Sequence, residues 1–382
     1  MSAPPDDVNW QRSQTLGEGA SGSVFVCYNN QACKVFSIKK EAQQEAAINK
    51  DLISKLTSDE ITNHTLLTPN SGEVQYIDSK NIVTNTAQIN NRAFIKYVLC
   101  KGTDLLGFVN QIETEIDEGN IVQSVNNFDS YYSQAKQFLS VLHSKEIYHY
   151  DIKPENLMIC SNQLKFIDFS DKNSGGTPMY YPISLLTSVK LYTEYFNAHI
   201  FEQGEDGKYI RVHFIEHFVI PFVQYCTGTI ITIGNVQSKF AILFPRKDEQ
   251  TQTNANYRDI YALSVTFAYL AHYIRSIIFD RFSKGNDDNS VLGALAKIQS
   301  ECYTTLKTYT VDITPISSFT SLSLPNSAYR VKVGGRAKYA QMTREVLYQL
   351  VKDKGIKGMS KKPKDELINS LKAADRRRAR MS

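Results

Sequence analysis

The chain has 382 residues, with 43 Lys and Arg against 39 Asp and Glu and a formal net charge of +4. Hydrophobic residues make up 42% and charged residues 21%, which excludes a fibrous or low-complexity chain and fits a globular protein of two or three domains or lobes. The charge is uneven: residues 337–382 hold thirteen basic and five acidic side chains, a net of +8, so the preceding residues sum to −4. An acidic-leaning body with a basic tail implies two surfaces with different partners.

The densest apolar stretch, Phe218 to Val223, is too short to span a bilayer and contains Pro221, so no transmembrane segment is expected. The opening Met1-Ser-Ala-Pro-Pro-Asp-Asp7 has neither the basic nor the apolar region of a signal peptide. Six cysteines (27, 33, 100, 160, 226 and 302) form no Cys-x-x-Cys pair. Their scatter predicts free thiols in a reducing compartment, cytoplasmic or nuclear, and argues against a zinc ribbon or a disulfide framework.

In chain order, residues 1–9 read as a disordered leader. Leu16 to Phe36 reads as strand, glycine turn and two further strands, the last being Ala32-Cys-Lys-Val-Phe36. Residues 39–56 switch to a helical composition, and a second strand group follows near 74–99 between Asn-rich turns. Residues 129–144 carry Tyr132, Ala135, Phe138, Leu139 and Leu142 at helical spacing. The short apolar runs 157–159 and 164–167, joined by Cys160-Ser-Asn-Gln163, predict a hairpin. Residues 183–256 are rich in β-branched and aromatic residues and read as a strand-containing insert. Residues 258–278 read as a strongly apolar, buried helix. The chain after residue 336 becomes basic and helical in composition.

Four motifs occur in one order. The first is Gly17-x-Gly19-x-x-Gly22-x-Val24 between two strands, where glycine lets backbone N–H groups approach phosphates. A strand follows it, whereas a dinucleotide fold would need a helix there. The second is Lys34 on the next strand, whose expected carboxylate partner is Glu45 in the following helix, with Glu41 as the alternative. The third is His149-Tyr-Asp151-Ile-Lys153-Pro-Glu-Asn156. In it Asp151 can accept the proton of an attacking hydroxyl, Lys153 can offset charge on a transferring phosphoryl group, and Asn156 offers a neutral oxygen to a hard cation. The fourth is Asp168-Phe169-Ser170 at the end of the hairpin.

These motifs resemble the glycine-rich loop, the β3 lysine, the catalytic loop and the Asp-Phe-Gly segment of eukaryotic-type protein kinases. The resemblance covers roughly residues 10–310. It implies an α+β, bilobal kinase fold with an N-lobe over 10–100 and a C-lobe over 101–335 that includes the insert 183–256. It implies ATP and Mg²⁺, with Mn²⁺ as an alternative, as cofactors. Leu16, Gly17, Gly19, Gly22, Val24, Lys34 and Glu45 would bind ATP. Cys100-Lys-Gly-Thr-Asp104 resembles the hinge exit, which puts Tyr97 at the gatekeeper position, Cys100 in the hinge and Asp104 near the ribose. Asp151, Lys153 and Asn156 would be catalytic, Asn156 and Asp168 would hold the metal, and His149, Phe169, Thr177 and Asp259 would support them. Thr177 lies in Gly176-Thr-Pro178-Met-Tyr-Tyr-Pro182, which resembles the end of an activation segment. Asp259 lies in Arg258-Asp-Ile-Tyr-Ala-Leu-Ser264, which resembles the start of the helix that anchors the catalytic loop.

Departures from the family pattern carry expectations of their own. Tyr150 replaces the usual Arg, and only seven residues separate Asp168 from Gly176, which suggests no need for activation-loop phosphorylation. Ser170 replaces Gly, and Ile183 stands where Glu is usual after Pro182. His213-x-x-Glu216-His217 matches a zinc-peptidase pattern, but alternation of Val212, Phe214, Phe218 and Ile220 reads as strand. Histidines four apart on a strand lie about 13 Å apart, too far to share a metal.

The tail pairs a helix over Met342 to Asp353 with a second one beginning at Pro363, broken by Lys354-Gly-Ile-Lys-Gly358. This small helix–turn–helix module resembles SAP-type and Rho-N-type nucleic-acid binders, and Arg376-Arg-Arg-Ala-Arg380 adds attraction to phosphates. The sum is an expected Ser/Thr protein kinase with protein substrates, and with residues 337–382 as a contact for nucleic acid or, alternatively, a nuclear or membrane-surface targeting segment or a solvated basic helix pair without a specific role. Its divergence resembles kinases of large DNA viruses, which would imply a virion or an infected cell. The alternatives are a catalytically weak scaffold that binds nucleic acid, and a small-molecule kinase of related fold, which Lys153 counts against.

Overall fold

Short β-branched and apolar runs from Thr15 onward build an antiparallel sheet before any helix appears. The computed structural model describes residues 15–19, 22–27, 31–76, 93–115, 120–170, 177–180, 182, 213–232, 235–236, 239–240, 243, 255–282, 289–308, 310, 363 and 366–367. The leader, the tip of the glycine loop, the segment 171–176, Ile183 and nearly all of the basic tail lie outside them. The chain divides into two compact units, Met1–Pro315 and Ile316–Ser382.

In the first unit β1 (Thr15–Gly19), β2 (Gly22–Cys27), β3 (Gln31–Phe36), β4 (Gln75–Tyr76) and β5 (Ala93–Val98) form a sheet of order β1-β2-β3-β5-β4. Gly22 is required where it stands, because a Cβ there would collide with the carbonyl oxygen of Val35 across the β2–β3 pair. Helix α1 (Lys39–Lys55) follows β3 and buries Ala42, Ala46, Asn49 and Leu52. Helix α2 (Ser58–His64) starts at Thr57, whose side chain and that of Glu60 cap each other's backbone N–H. The β-rich first part and helical second part match the α+β expectation.

Helical packing takes over after β6 (Thr103–Asp104), with α3 (Leu105–Glu115) and α4 (Ile121–Ser144). Helix α4 begins earlier than the spacing from residue 129 suggests, because Ile121, Val125 and Phe128 extend the same buried stripe through a polar-looking stretch. The predicted hairpin is present as β7 (Leu157–Cys160) and β8 (Gln163–Phe166), which pair with β6 in a second sheet. Ser161 and Asn162 turn it with φ of 52° and 63°, the left-handed pair that a tight hairpin needs.

The buried helix expected over 258–278 is α6 (Ala255–Phe282). Its stretch Asn256–Phe279 has the length and mean hydropathy (1.3) to cross a membrane, but 83% of that stretch is buried inside the protein. Phe267 meets the rings of Phe128 and Tyr132 of α4 at 5.4 and 5.0 Å. Helix α7 (Asn289–Lys307) closes the core with Leu295, Ile298, Cys302 and Leu306.

Two expectations are corrected. The described part of the insert is helical, not stranded: a π-helix spans Ile215–Val219 and α5 spans Ile220–Thr227, ended by Gly228 at φ 65°. Phe214, Phe218 and Phe222 are spaced by four, which keeps strand parity and also stacks one helix face. The rings of His213 and His217 are therefore 4.3 Å apart, and His217 Nδ1 lies 3.1 Å from His272 Nδ1 of α6. Among the described residues no group of three or more His, Cys, Asp or Glu side chains converges to hold a metal ion.

The second correction concerns cysteine. Cys27 is joined to Cys33 and Cys100 to Cys160, leaving Cys226 and Cys302 as thiols. Both pairs are made across strands or between segments distant in sequence, so no Cys-x-x-Cys signature announced them. In the second unit the Pro363 carbonyl accepts from the N–H groups of Glu366 and Leu367, and the rest of the expected tail module lies outside the described residues.

Two measurements check these points. Alkylation of the denatured, unreduced protein should label Cys226 and Cys302 alone; six labelled thiols would refute the pairing. The histidines give the second. Burial lowers the pKa of His213 to about 4 and of His272 to about 3, and that of His217 well below its ordinary value. Glu113 partly opposes this at His213, while Arg275 adds to it at His272. These folded pKa values lie below that of an unfolded histidine, so the unfolded chain takes up protons that the native one refuses. Stability is therefore fully present above pH ~6.5 and falls as pH drops toward about 4 and then 3, by up to about 1.4 kcal/mol per pH unit for each histidine. Urea midpoints from pH 7 to pH 4 should show the loss, and His272→Gln should flatten it.

Candidate active site

Strand β3 puts Lys34 opposite Val24 of β2 and Ile95 of β5, with its side chain only 9% exposed. Nζ reaches Glu45 Oε2 of α1 at 2.8 Å and Asp168 Oδ1 beyond β8 at 2.7 Å. Burial disfavours the charged amine, but Asp168 and then Glu45 outweigh it and raise its pKa, so Lys34 is a held cation. Glu45 is pushed up by burial and pulled back by Lys34. The partner is thus Glu45 and not Glu41.

The glycine loop lies on the same sheet. Gly19 faces Gly22 across the β1–β2 turn, and Gly17 pairs with Val24. A side chain at Gly17 would meet nothing within 4 Å, and Leu16 beside it is 48% exposed, so this edge offers apolar surface and open space. Asp104 caps α3 by accepting from Gly107 N–H at 2.6 Å. The Cys100 sulfur is bound to Cys160, which ties the segment after β5 to β7 instead of leaving a thiol. The Tyr97 hydroxyl bonds Glu45 and Asn49.

The catalytic-loop motif is held from below by Asp259, which is fully buried in the first turns of α6. Its two oxygens accept from the backbone N–H of His149 at 2.7 Å and of Tyr150 at 2.8 Å. The His149 ring contacts that of Phe169 at 4.4 Å and lies within hydrogen-bond reach of the Ile167 carbonyl at 2.9 Å, and the His149 carbonyl accepts from Ser170 N–H at 3.0 Å. Burial lowers the pKa of His149, so the ring is neutral. The sequence-predicted supports His149, Phe169 and Asp259 thus meet in one place.

Around Asp151 the polar groups converge. Oδ1 accepts from the Thr177 backbone N–H at 2.7 Å and from its hydroxyl at 2.8 Å, and Oδ2 lies 3.1 Å from Lys153 Nζ. Lys153 also donates to Thr177 Oγ1 at 2.9 Å. Burial works against the carboxylate, but Lys153 and the Thr177 hydroxyl outweigh it, and the pKa of Asp151 is lowered. It is an ionised acceptor. Asn156 gives its amide N–H groups to the Asp151 carbonyl at 2.8 Å and to Oδ2 at 3.2 Å, so its amide oxygen is the atom that could face a cation. Asp168 has a half-exposed side chain and sits at φ 56°, a left-handed conformation. One neutral and one anionic oxygen donor fit a hard divalent cation that takes its other ligands from phosphate and water.

Sequence reasoning missed two residues. Arg258 stacks on the Tyr150 ring at 4.9 Å and donates to its carbonyl at 3.3 Å, and only the neighbouring Asp259 was recognised. Asn49 is buried one turn after Glu45, and its spacing was visible in the sequence.

With this geometry in place, the first part of the chain can be compared with known proteins. Residues 10–179 match the protein kinase domain. The chain is 27% identical over 172 residues to serine/threonine-protein kinase chk1 of Schizosaccharomyces pombe, covering 44% of this chain and 32% of that one. It is 28% identical over 167 residues to serine/threonine-protein kinase grp of Drosophila melanogaster, covering 42% and 28%. MAP kinase kinase kinase win1 of S. pombe matches at 24% over 175 residues, 44% of this chain and 11% of that protein. The chain thus spans about a third or less of the length of these relatives. The kinase domain match contains every motif from the glycine loop to Thr177 and ends ahead of the insert, α6 and the tail.

Proposed function

We propose that the chain is an ATP-dependent protein kinase that phosphorylates Ser and Thr hydroxyls. The observation that carries this reading is the ionised Asp151 carboxylate, bound by Lys153, Thr177 and Asn156, on the chain segment that leads to Asp168, which in turn pairs with Lys34. Asp151 orients the incoming hydroxyl and accepts its proton. Lys153 offsets charge on the transferring phosphoryl group, and Lys34 positions the nucleotide phosphates. Asn156 and Asp168 would hold the divalent cation, Mg²⁺ or Mn²⁺, which when bound neutralises phosphate oxygens.

The same reading includes activity without activation-loop phosphorylation. Tyr150 stands where kinases use an Arg to take up a phosphate. Here Arg258 stacks on it and Asp259 fixes its backbone, so the loop is held by groups already in the fold. The test is γ-phosphate transfer to a panel of basic and acidic proteins. Asp151→Ala should lower the rate by roughly 10²–10⁴-fold. Phosphatase treatment of the purified enzyme should leave it unchanged. Equal rates for wild type and Asp151→Ala would sink the enzyme reading.

The net charge of +8 over residues 337–382 supports a second assignment, contact of this tail with a nucleic-acid phosphate backbone. DNA affinity should fall steeply with salt in the full chain, and removal of 337–382 should weaken it and flatten that slope. Equal affinity after truncation would remove the role.

A further inference from the structure

We propose that Tyr97 is a positioning residue, whose hydroxyl pins helix α1 against β5 and thereby holds Glu45 against Lys34. The inference rests on the kinase reading and adds to it a residue that acts behind the nucleotide site, not on the nucleotide.

Tyr97 stands on β5 opposite Ala32, two positions from the Ile95 that faces Lys34. Its hydroxyl donates to Glu45 Oε1, while Glu45 Oε2 takes the Lys34 amine. The same hydroxyl accepts from Asn49 Nδ2 at 3.0 Å. Glu45 and Asn49 are one turn apart on α1, so a single phenol oxygen grips two successive turns of the helix. Asn49 Nδ2 also donates to the Ser71 carbonyl at 3.1 Å, and Ser71 Oγ donates back to the carbonyl of Lys96, the neighbour of Tyr97. Asn49 and Ser71 are 4% and 0% exposed. The chain Asp168–Lys34–Glu45–Tyr97–Asn49–Ser71 therefore runs from the candidate metal ligand through the sheet into the first unit's interior.

The apolar contacts of α1 beside Glu45 give little of this grip, and its larger fully buried side chain, Leu52, lies about two turns further on. Two of the residues it buries are Ala42 and Ala46, whose small side chains give little resistance to sliding or rotation of the helix. Rotation of α1 would break both bonds to Tyr97 and leave buried polar atoms without partners. Burial and the nearby Glu45 charge raise the pKa of Tyr97 far above its ordinary value, so the hydroxyl keeps its proton and stays a donor.

Tyr97→Phe keeps the ring and removes only the hydroxyl. It should lower kcat about tenfold and raise KM for ATP, with KM for the protein substrate unchanged. In a Glu45→Gln background the same change should cost less than twofold, because the bond it removes has already lost its charged acceptor. A role confined to core packing would lower the melting temperature without altering kcat per folded molecule, and its effect would add to that of Glu45→Gln. Asn49→Ala should give a smaller loss in the same direction, and it serves where Tyr97→Phe fails to fold. Amide hydrogen exchange across Lys39–Lys55 should quicken in Tyr97→Phe. An active wild type with an unchanged Tyr97→Phe variant, or unchanged exchange, would overturn the proposal. A wild type that transfers no phosphate would instead sink the kinase reading, with the exchange measurement still deciding the role of Tyr97.

Discussion

A buried ammonium ion needs countercharge, and Lys34 obtains it from two carboxylates that lie on different elements, Glu45 in α1 and Asp168 after β8. Removing both partners would leave a charge that the protein interior cannot solvate, at a cost of several kcal/mol. The pair of bonds therefore does more than orient one amine. It fixes the rotation of α1 relative to β3, and it fixes how far the segment after the β7–β8 hairpin reaches toward the five-stranded sheet. Everything proposed for the site requires both placements at once.

Asp168 pays for its place with a left-handed backbone at φ 56°, a conformation that costs a non-glycine residue about 1–2 kcal/mol. Lys34 offsets this at the side chain, and Ser170 N–H, bound to the His149 carbonyl, offsets it two residues later. Because His149 also lies on the Ile167 carbonyl, the strand before Asp168 and the loop after it hang from one neutral histidine. Protonating that ring would bury a charge, and burial lowers its pKa against such protonation.

Legibility in the sequence followed the kind of signal involved. Glycines, a lysine and carboxylates at fixed spacing gave Lys34, Glu45, Asp151, Lys153, Asn156, Asp168 and Asp259, because that chemistry admits few residue types. The hairpin was readable for a similar reason: Ser161-Asn162 is a turn that β-strands cannot avoid marking. The insert failed because aromatic residues at intervals of four satisfy two periodicities, and only burial on the α6 side separates them. The cysteine pairs failed because proximity across a sheet leaves no trace in local spacing. Tyr97 and Asn49 fell between: their positions were readable, their hydrogen bond was not.

Tyr150 is the place where the His149–Asn156 motif departs furthest from the kinase pattern it resembles, and the surrounding structure answers the departure locally. An aromatic side chain at φ 64° is strained, so some group must hold it. Asp259 takes its backbone N–H, Arg258 takes its carbonyl, and the same guanidinium covers its ring at 4.9 Å, an interaction of order 1 kcal/mol. Both holding residues are neighbours in the first turns of α6, whose remaining length is buried among Phe128, Tyr132 and the helices of the core. The strain at Tyr150 is therefore carried by a helix that is itself anchored in the core.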